Sequence, residues 1–315
     1  MAKPFTVIIP KTIDDSNFIS SSLPESVPGT PAPGEPPVWA SGTTYSIGDQ
    51  VVVTTGYHKI YKAVQAVSSS PDRDTPPYNL STHWVEVGPT NRWAAFDTSG
   101  GTFSYSSGAN IVFSFTMDRA TSIALVELTA RSVRIQATAP GYPNYYDQTF
   151  FVADHAVINN WYDYFTSESF LSAEIITTDI PAIAATTFTI TVENNGNPLQ
   201  VGNIIVGTNV ELGNTRYGAK VGIIDYSKKE VNEFGKVTIV KRNFSKKMDV
   251  ALDVKNEMVD SVTARLNYLR STLCLWVGAG GAFESLTVYG FYRDYSVEIA
   301  YPTHSLCSLQ IEGLV

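Results

Sequence analysis

The aromatic residues between positions 38 and 90 are the side chains of this sequence best suited to binding chemistry. Aromatic rings at this density can form a flat surface against which a ligand stacks, but such rings also fill the cores of small domains. So short a segment buries little surface with aliphatic side chains alone. We therefore assign most of these rings to a core and keep the others as candidates for a stacking surface. The six residues are Trp39, Tyr45, Tyr57, Tyr61, Tyr78 and Trp84.

A carboxylate among aromatic residues is the second feature that could support chemistry. Asp163 lies within the stretch "WYDYF" (161–165), where neighbouring rings can raise a carboxyl pKa or cradle a sugar. Arg92 precedes Trp93, and a guanidinium stacked on that ring would clamp a domain junction. Trp161, Asp163 and Arg92 are thus predicted as a site in a β-domain or at an interface. A turn-capping role is the favoured alternative for Asp163.

Sequence motifs for covalent or metal-dependent catalysis are missing. The chain has no Gly-x-Ser-x-Gly, no phosphate-binding Gly-x4-Gly-Lys and no His-Glu-x-x-His. Its four histidines lack metal-ligand spacing, and its two cysteines have no near partner. We therefore expect no cofactor, no metal and no enzymatic activity. The alternative is a glycan hydrolase whose two carboxylates come from distant strands.

The charge balance argues against nucleic acid as a partner. Lysine and arginine number 22 against 30 aspartate and glutamate residues, and the formal net charge is −8. Nucleic-acid binding depends on concentrated positive charge. The one basic cluster, residues 227–247, is interrupted by acidic and apolar positions. It is predicted to be a solvated sheet face.

The sequence shows neither a signal peptide nor a membrane span. Its first apolar run, residues 5–9, ends at Pro10. A membrane helix needs roughly 20 apolar residues. We expect synthesis in a cytoplasm. Cys274 and Cys307 lie in apolar contexts and are predicted to be buried free thiols, since secreted β-proteins that rely on disulfides usually carry more cysteines.

Composition divides the first third of the chain into two segments. Residues 1–37 contain one predicted edge strand (5–9) and then a proline-rich stretch (20–37), which together predict an N-terminal arm on an extended tether. Residues 38–90 predict a small β module. Its predicted core consists of Trp39, Tyr45 and Tyr61.

The rest of the chain divides into two further segments of a mainly β protein. Residues 91–225 alternate apolar and polar positions in short runs, which predicts an antiparallel β-sandwich. Residues 226–315 predict a C-terminal mixed sheet with one helix. That helix would begin at an Asn256 N-cap, and its apolar residues recur at helical spacing. They are Met258, Val262, Leu266 and Leu269.

The aromatic segment resembles the small chitin- and cellulose-binding modules of bacterial glycoside hydrolases, the carbohydrate-binding family 5/12 type. The residues that carry the resemblance are, in order, Trp39, Tyr45, Gly48, Asp49, Val51, Gly56, Tyr61, Ala63, Pro76 and Trp84. The resemblance implies a tiny β-fold whose exposed aromatic rings stack on sugar.

One departure from that family alters the expected sugar platform. This chain has Val64 and Gln65 where family members carry a tryptophan pair, which implies a reduced platform. Tyr57 and Tyr78 are the predicted stacking rings. Trp84 is a further candidate for sugar contact, although its position also suits the core. A scaffold or protein-contact role for the module is the alternative.

A second resemblance covers most of residues 91–315. It rests on "NRWAAFD" (91–97), "WYDYF" (161–165), "VGNIIVG" (201–207), "RYGAKVGIIDYSKKEVNEFG" (216–235) and "IEGL" (311–314). These motifs resemble tail-associated virion proteins of tailed bacteriophages and prophages. The resemblance implies a tail tip or baseplate protein whose sandwich is similar to the galactose-binding-like jelly rolls of host-recognition parts.

The expected function is therefore structural. The sequence predicts a virion component, made in the host cytoplasm, that assembles with other phage tail proteins as a homo-oligomer and presents aromatic surfaces to cell-surface or cell-wall glycan. Two alternatives stay open. One is a glycan-active hydrolase with an attached carbohydrate-binding module, and the other is a free carbohydrate-binding protein.

Overall fold

The computed structural model of the chain describes residues 3–98, 100–152, 160–166, 174–231, 237–281 and 283–314. These residues are mainly β, in antiparallel sheets with two short α-helices. The strands are β1 (Lys3–Pro10), β2 (Phe18–Ser21), β3 (Gln50–Val53), β4 (Lys59–Ala63), β5 (Trp84–Pro89), β6 (Ser104–Ser106), β7 (Ile111–Met117), β8 (Ser122–Thr129), β9 (Ser132–Ala139), β10 (Tyr142–Phe151), β11 (Ile175–Thr177), β12 (Thr186–Glu193), β13 (Leu199–Thr215), β14 (Lys220–Asp225), β15 (Lys228–Val231), β16 (Val237–Val240), β17 (Phe244–Lys255), β18 (Cys274–Val277), β19 (Thr287–Glu298) and β20 (His304–Gly313). The helices are α1 (Trp161–Thr166) and α2 (Val259–Tyr268). In this described part of the chain, neither helix has the length and apolar character needed to cross a bilayer.

The chain forms two compact units, each assembled from segments that are distant in sequence. The barrel unit comprises Met1–Lys11, Thr98–Gly101 and Ile205–Val315. The module unit comprises Thr12–Asp97 and Thr102–Ile204. Each unit is described separately below.

Six strands of the barrel unit close into a ring. The order is β13, β1, β18, β19, β20 and β17, and every pairing in it is antiparallel. The ring closes where Asn214 and Thr215 of β13 pair with Asp253 and Leu252 of β17. Because the ring is closed, each of these six strands has a partner strand on both sides. Most backbone donors and acceptors of the barrel are therefore paired within it.

The predicted N-terminal edge strand is an internal strand of this barrel. β1 pairs with β13 on one side and with β18 on the other. Phe5, Val7 and Ile8 are completely buried. The edge assignment was therefore wrong, because the run 5–9 is apolar on both faces, as is typical of a strand covered on both sides.

The predicted C-terminal helix is present, and it packs on the barrel core. Val262 and Leu266 of α2 belong to the same buried cluster as Trp276. The predicted N-cap is wrong. Asn256 lies in a 3-10 turn before α2, and its side-chain amide donates to the carbonyl oxygens of Tyr301 and Pro302.

The C-terminal sheet differs from the mixed sheet predicted from the sequence. All of its strand pairings are antiparallel. Two predicted strands, "SLTVYGF" and "YSVEIAY", form the single strand β19, in which the register shifts between Tyr292 and Asp294. Such an irregularity lets one long strand bend around a barrel, so the break in the apolar pattern is a bulge and not a turn.

A five-stranded antiparallel sheet of the module unit has the order β10, β9, β12, β7, β2. Its central strands alternate buried and half-buried positions, as the sequence predicts. Opposite residues meet on the buried face: Phe188 lies across from Phe115 and Ile190 from Phe113. A second group of strands in this unit places β8 between β11 and β13, and β6 pairs with β13.

The small module of residues 38–90 contains the three-stranded antiparallel sheet β3, β4, β5. Its core is a self-contained cluster in which rings and aliphatic side chains pack together. The cluster consists of Val51, Val53, Tyr61, Ala63, Val67 and Trp84, with Trp39, Tyr45 and Leu80 packed against it.

The proline-rich stretch is attached to the rest of the module unit, in contrast to the predicted free tether. The carboxylate of Glu35 accepts hydrogen bonds from the backbone N–H groups of Ser26 and Asn91, each at 3.0 Å. Leu23 and Ala32 are buried. Prolines exclude regular structure here, but they do not prevent side chains from anchoring the segment.

The two cysteines should be unreactive in the folded protein. Both are free and buried, and burial raises the pKa of Cys274 to about 12 and that of Cys307 to about 11. Since the thiolate is the reactive form, a thiol reagent at about pH 8 should label neither residue in native buffer and both in denaturant. Rapid labelling of either cysteine in native buffer would contradict this structure of the barrel core.

Candidate functional site

The candidate glycan-binding site is a pair of exposed tyrosines on the small module, the tyrosine pair Tyr57 and Tyr78. Their rings stack with centroids 4.1 Å apart and planes inclined by 15°. Tyr57 is 46 % exposed and Tyr78 is 37 % exposed. Because each ring covers one face of the other, a ligand can stack on at most one face of each ring, the outer one.

Local structure explains how residues 21 positions apart come together. Tyr57 lies in the turn between β3 and β4, next to Gly56, whose φ of +72° is in the left-handed region that glycine adopts readily. Tyr78 lies in a 3-10 turn, Pro77–Asn79, that precedes β5. In the antiparallel pair, Lys59 lies opposite Pro89 and Ala63 opposite Trp84, so the β3–β4 turn and the start of β5 are at opposite ends of the sheet. The long connection between β4 and β5 therefore folds back along the sheet and brings Tyr78 onto Tyr57.

Charged groups lie beside the tyrosine pair. Lys59 on β4 and Glu86 on β5 form an ion pair with 2.7 Å between Nζ and Oε1. That hydrogen bond is the main reason why the pKa of Lys59 is raised, against a smaller lowering by burial. Hydroxyl-rich ligands hydrogen-bond to such groups while stacking on a ring, which is the arrangement that the module offers.

Trp84, the further candidate for sugar contact, is placed in the core instead. It is 2 % exposed and meets the ring of Tyr45 edge-on, with centroids 5.2 Å apart. A ring enclosed by the module has no face available to a sugar. Trp84 is the one buried residue of β5, and it lies opposite the buried Ala63 of β4, which belongs to the same core cluster.

The predicted module core contains the expected residues. Tyr61 is buried, and burial is the main cause of its raised pKa, with the negative charge of Glu86 adding to it. Tyr45 is half-buried, and its hydroxyl accepts from the N–H of Ala40 at 3.0 Å. Trp39 is also half-buried, and its backbone N–H donates to the carbonyl of Val52.

Arg92 forms a junction of a different kind from the one predicted. Its guanidinium Nε donates to the carbonyl of Leu23 at 2.8 Å, and its Nη1 lies 3.5 Å from Oε2 of Glu25. The ring that stacks on Trp93 is the imidazole of His58, at a centroid distance of 4.0 Å and an angle of 17°. Arg92 therefore anchors the proline-rich segment through an ion pair.

The sequence did not single out His58, yet this side chain is at the centre of a charged cluster. Its Nδ1 lies 2.9 Å from Oε1 of Glu25, and its Nε2 lies 2.6 Å from Oδ1 of Asp15. These partners are 33 and 43 residues away, so no local pattern could reveal them. The only local signal was a histidine beside the candidate ring Tyr57.

A cavity of about 440 Å³ adjoins this cluster within the module unit. Residues of the 12–16 turn form one wall, and Gly56, Tyr57 and His58 form another. Trp93 and Phe96 contribute apolar surface. The cavity thus extends from the histidine to one ring of the tyrosine pair.

The other members of the second predicted site lie on α1. Trp161 is 79 % exposed and stacks on Phe165, with ring centroids 6.5 Å apart. The stretch "WYDYF" forms this helix, although the sequence suggested a turn. The side chain of Asp163 lies outside the part of the chain that the structure describes, so its pKa and contacts stay predictions.

The described residues contain no group of three or more histidine, cysteine, aspartate or glutamate side chains arranged to bind a metal. Asp15 and Glu25 approach His58 at different ring nitrogens, so the three groups do not converge on one point. A scan against protein-family models finds no match to this chain, and a search of curated proteins finds no significant relative.

Core and surface rings of the module should respond differently to substitution. Trp84→Ala should cost about 3–5 kcal/mol of module stability, since it leaves a large cavity. Tyr78→Ala should cost less than about 1.5 kcal/mol, since it removes only an exposed stack. Hydrogen exchange of the β3 and β4 amides would measure both effects. Equal costs would contradict the placement of Trp84 in the core.

Proposed function

We propose that this chain is a structural component of a phage tail tip or baseplate, made in the host cytoplasm and incorporated in the virion. It assembles with copies of itself and with other tail proteins, and its small module contacts host-surface glycan. The observation that carries the structural role is an exposed apolar surface on two neighbouring hairpin segments of the barrel unit. The virion assignment itself rests on the resemblance described for residues 91–315.

The proposed assembly surface consists of exposed apolar side chains on β14 and β16. Ile223 on β14 is 58 % exposed and Ile239 on β16 is 73 % exposed. Val221, Val237 and Val240 are also exposed. β14 pairs with β17, and β16 pairs with β15. Exposed isoleucine and valine on such strands are typical of surfaces that another chain covers.

Strand pairing supports the same role. β14 is the outermost strand of its sheet and pairs on one side with β17. Its other edge presents backbone groups that an incoming strand can pair with. On β15, Lys228 pairs with Glu230 at 3.2 Å, and Lys229 adds positive charge to a chain whose net charge is −8. An acidic surface of a second copy would complement this charge.

The glycan role is supported by the tyrosine pair. Tyr61 and Trp84 are buried in the module core and Trp39 and Tyr45 pack against it half-buried, whereas Tyr57 and Tyr78 are exposed. Two rings give a weak single site. Copies repeated around a tail axis would multiply that affinity without new contacts.

The proposal includes the packing of the two strand groups of the module unit and the class of the small module. We infer that the two groups of antiparallel strands in the module unit pack face to face as a jelly-roll-like sandwich of the galactose-binding type, and that the small module is a carbohydrate-binding module. The support is the one-sided burial of the five-stranded sheet, where Phe113, Phe115 and Phe188 are completely buried.

Assembly should depend on the apolar surface of β14 and β16. Ile239→Asp should weaken self-association at least about 100-fold, because the carboxylate would be buried unpaired in the contact. Ile299→Asp is the matched control, since Ile299 is 77 % exposed and follows β19 at the opposite end of the barrel strands. Analytical ultracentrifugation over a concentration series gives the measurement. A strictly monomeric chain, or equal effects of both substitutions, would contradict this surface.

Glycan binding should depend on the ring of Tyr57. Tyr57→Ala should weaken binding about tenfold, while Tyr57→Phe keeps the ring and should bind nearly normally. Tyr301→Ala is the control, because Tyr301 is also 46 % exposed and also stacks on a ring, that of His304. Pull-down on insoluble chitin and on peptidoglycan, with purified full-length chain, measures the effect.

The same samples distinguish the hydrolase alternative. Release of soluble reducing sugar from either polymer, lost on changing one particular carboxylate, would favour a glycan-active enzyme. Binding by a chain that stays monomeric would favour a free carbohydrate-binding protein. Binding that survives Tyr57→Ala would contradict the tyrosine pair as the site.

A further inference from the structure

We propose that His58 is a protonated latch that ties the Tyr57 turn to the 12–25 segment and thereby positions Tyr57. The latch is a doubly hydrogen-bonded imidazolium between Asp15 and Glu25, and its release with rising pH would loosen the turn. The consequence for glycan rests on the proposed function of the tyrosine pair, whereas the latch itself does not.

Hydrogen-bond chemistry requires the proton. A neutral imidazole has one N–H and one lone pair, whereas an imidazolium has two N–H donors. Both ring nitrogens of His58 face carboxylate oxygens, at 2.9 Å for Glu25 and 2.6 Å for Asp15. Without the second proton, one carboxylate would point at a lone pair. The side chains of His58 and Glu25 are 13 % and 8 % exposed, so the Glu25 contact is shielded from water, whereas the side chain of Asp15 is 51 % exposed.

The charges around the latch are arranged to keep it intact. Glu25 also accepts from the hydroxyl of Thr90 at 2.9 Å and pairs with Arg92. Asp15 also accepts from the N–H of Gly56 at 3.0 Å. Because each carboxylate accepts from other donors, each is held in position for the imidazolium.

Four other residues surround or adjoin the imidazole of His58. Trp93 stacks on the imidazole face. Lys59, the next residue, is paired with Glu86. Asp14 and Asp97 line the adjoining cavity. The acidic groups near His58 thus outnumber the cations.

The shift in pKa agrees with the geometry. Burial alone would lower the pKa of His58, but the hydrogen bonds and charges of Glu25 and Asp15 outweigh it and raise the pKa above 6.5. A histidine with a raised pKa stabilises the folded form fully below its ordinary value, and that contribution is lost as pH rises through the raised value. The latch therefore holds in acid and weakens toward higher pH.

The latch acts on Tyr57 from both sides. Gly56 before it donates to Asp15, and His58 after it bonds to both carboxylates. His58 itself has a φ of +51°, a conformation that costs a non-glycine residue free energy and must be held by its surroundings. Releasing the imidazolium would let this turn relax and move the ring of Tyr57 away from that of Tyr78.

Nuclear magnetic resonance of the histidine side chains in the full chain tests the protonation. His58 should titrate above 6.5, the ordinary value, and Asp15→Asn should lower its pKa by removing one of the two carboxylates. His58→Gln assigns the signal, and His83→Gln is the matched control, because His83 lies 3.8 Å from Asp72 without a second carboxylate partner among its described contacts. A wild-type His58 that titrates at or below 6.5 would overturn the proposal.

Hydrogen exchange of the Gly56 amide tests the positioning. After correction for intrinsic exchange, its protection should fall about tenfold as His58 loses its proton, the effect expected from losing a charge-assisted hydrogen bond in the cluster. His58→Gln should abolish this pH dependence, and His83→Gln should keep it. Protection that does not change through the titration of His58 would overturn the positioning role, even with a raised pKa.

Glycan binding separates this proposal from the previous one. If both stand, binding to chitin or peptidoglycan weakens across the pH range in which His58 titrates, and Tyr301→Ala leaves that profile unchanged. If the exchange and titration results hold but the chain binds neither polymer at any pH, the latch stands and the glycan function fails. If binding occurs but is independent of His58 titration, the glycan function stands and the positioning role fails.

Discussion

An open β-sheet leaves unpaired backbone N–H and C=O groups along its edges, and the fold of the barrel unit depends on how those groups are paired. The ring closes through two residue pairs, Asn214 with Asp253 and Thr215 with Leu252. β1 is equally necessary, because it pairs with β13 and β18 at once. The first strand of the chain is thus a structural part of a barrel whose other strands come from its last third. Such a strand has its pairing groups occupied within the unit, so it is not an arm available to a neighbouring subunit.

That closure makes β14 distinctive. It pairs with β17 outside the ring and ends the sheet, so its second edge stays available. Natural edge strands are usually protected by charge, proline or a bulge. β14 begins with Lys220 but then exposes Ile223, and Ile239 on β16 adds to the same apolar character. The open edge of β14 and the exposed isoleucines are the two features on which the proposed self-association depends.

Local pattern predicted local structure well in this chain. The alternation of apolar and polar residues correctly predicted the buried faces of β7 and β12, including Phe113 and Ile190. Helical spacing correctly predicted that Val262 and Leu266 lie on the buried side of α2. The pattern could not show which strands pair over long distances, so β1 was assigned to an edge. It also could not distinguish a bulge from a turn in β19. In the candidate site, Tyr57 and Tyr78 were predicted from the sequence, and their rings stack on each other. Trp84 was also a candidate but is buried. The spacing of aromatic residues does not show on which side of a strand each ring lies.

The His58 cluster shows a further limit of local pattern and a reason for it. Hydrophobic contacts leave a periodic trace in sequence, but a charged junction needs only one suitable residue in each of several distant segments. Asp15, Glu25 and Arg92 have no shared spacing with His58, yet together they join the proline-rich segment to the module. An apolar junction of the same size would respond little to pH. Of the cations in this junction, the imidazole of His58 is the one whose second N–H depends on pH, whereas the ion pair of Arg92 with Glu25 does not depend on that proton. The carboxylate of Asp15 that faces His58 also accepts from the N–H of Gly56, so the junction contacts the turn that carries Tyr57.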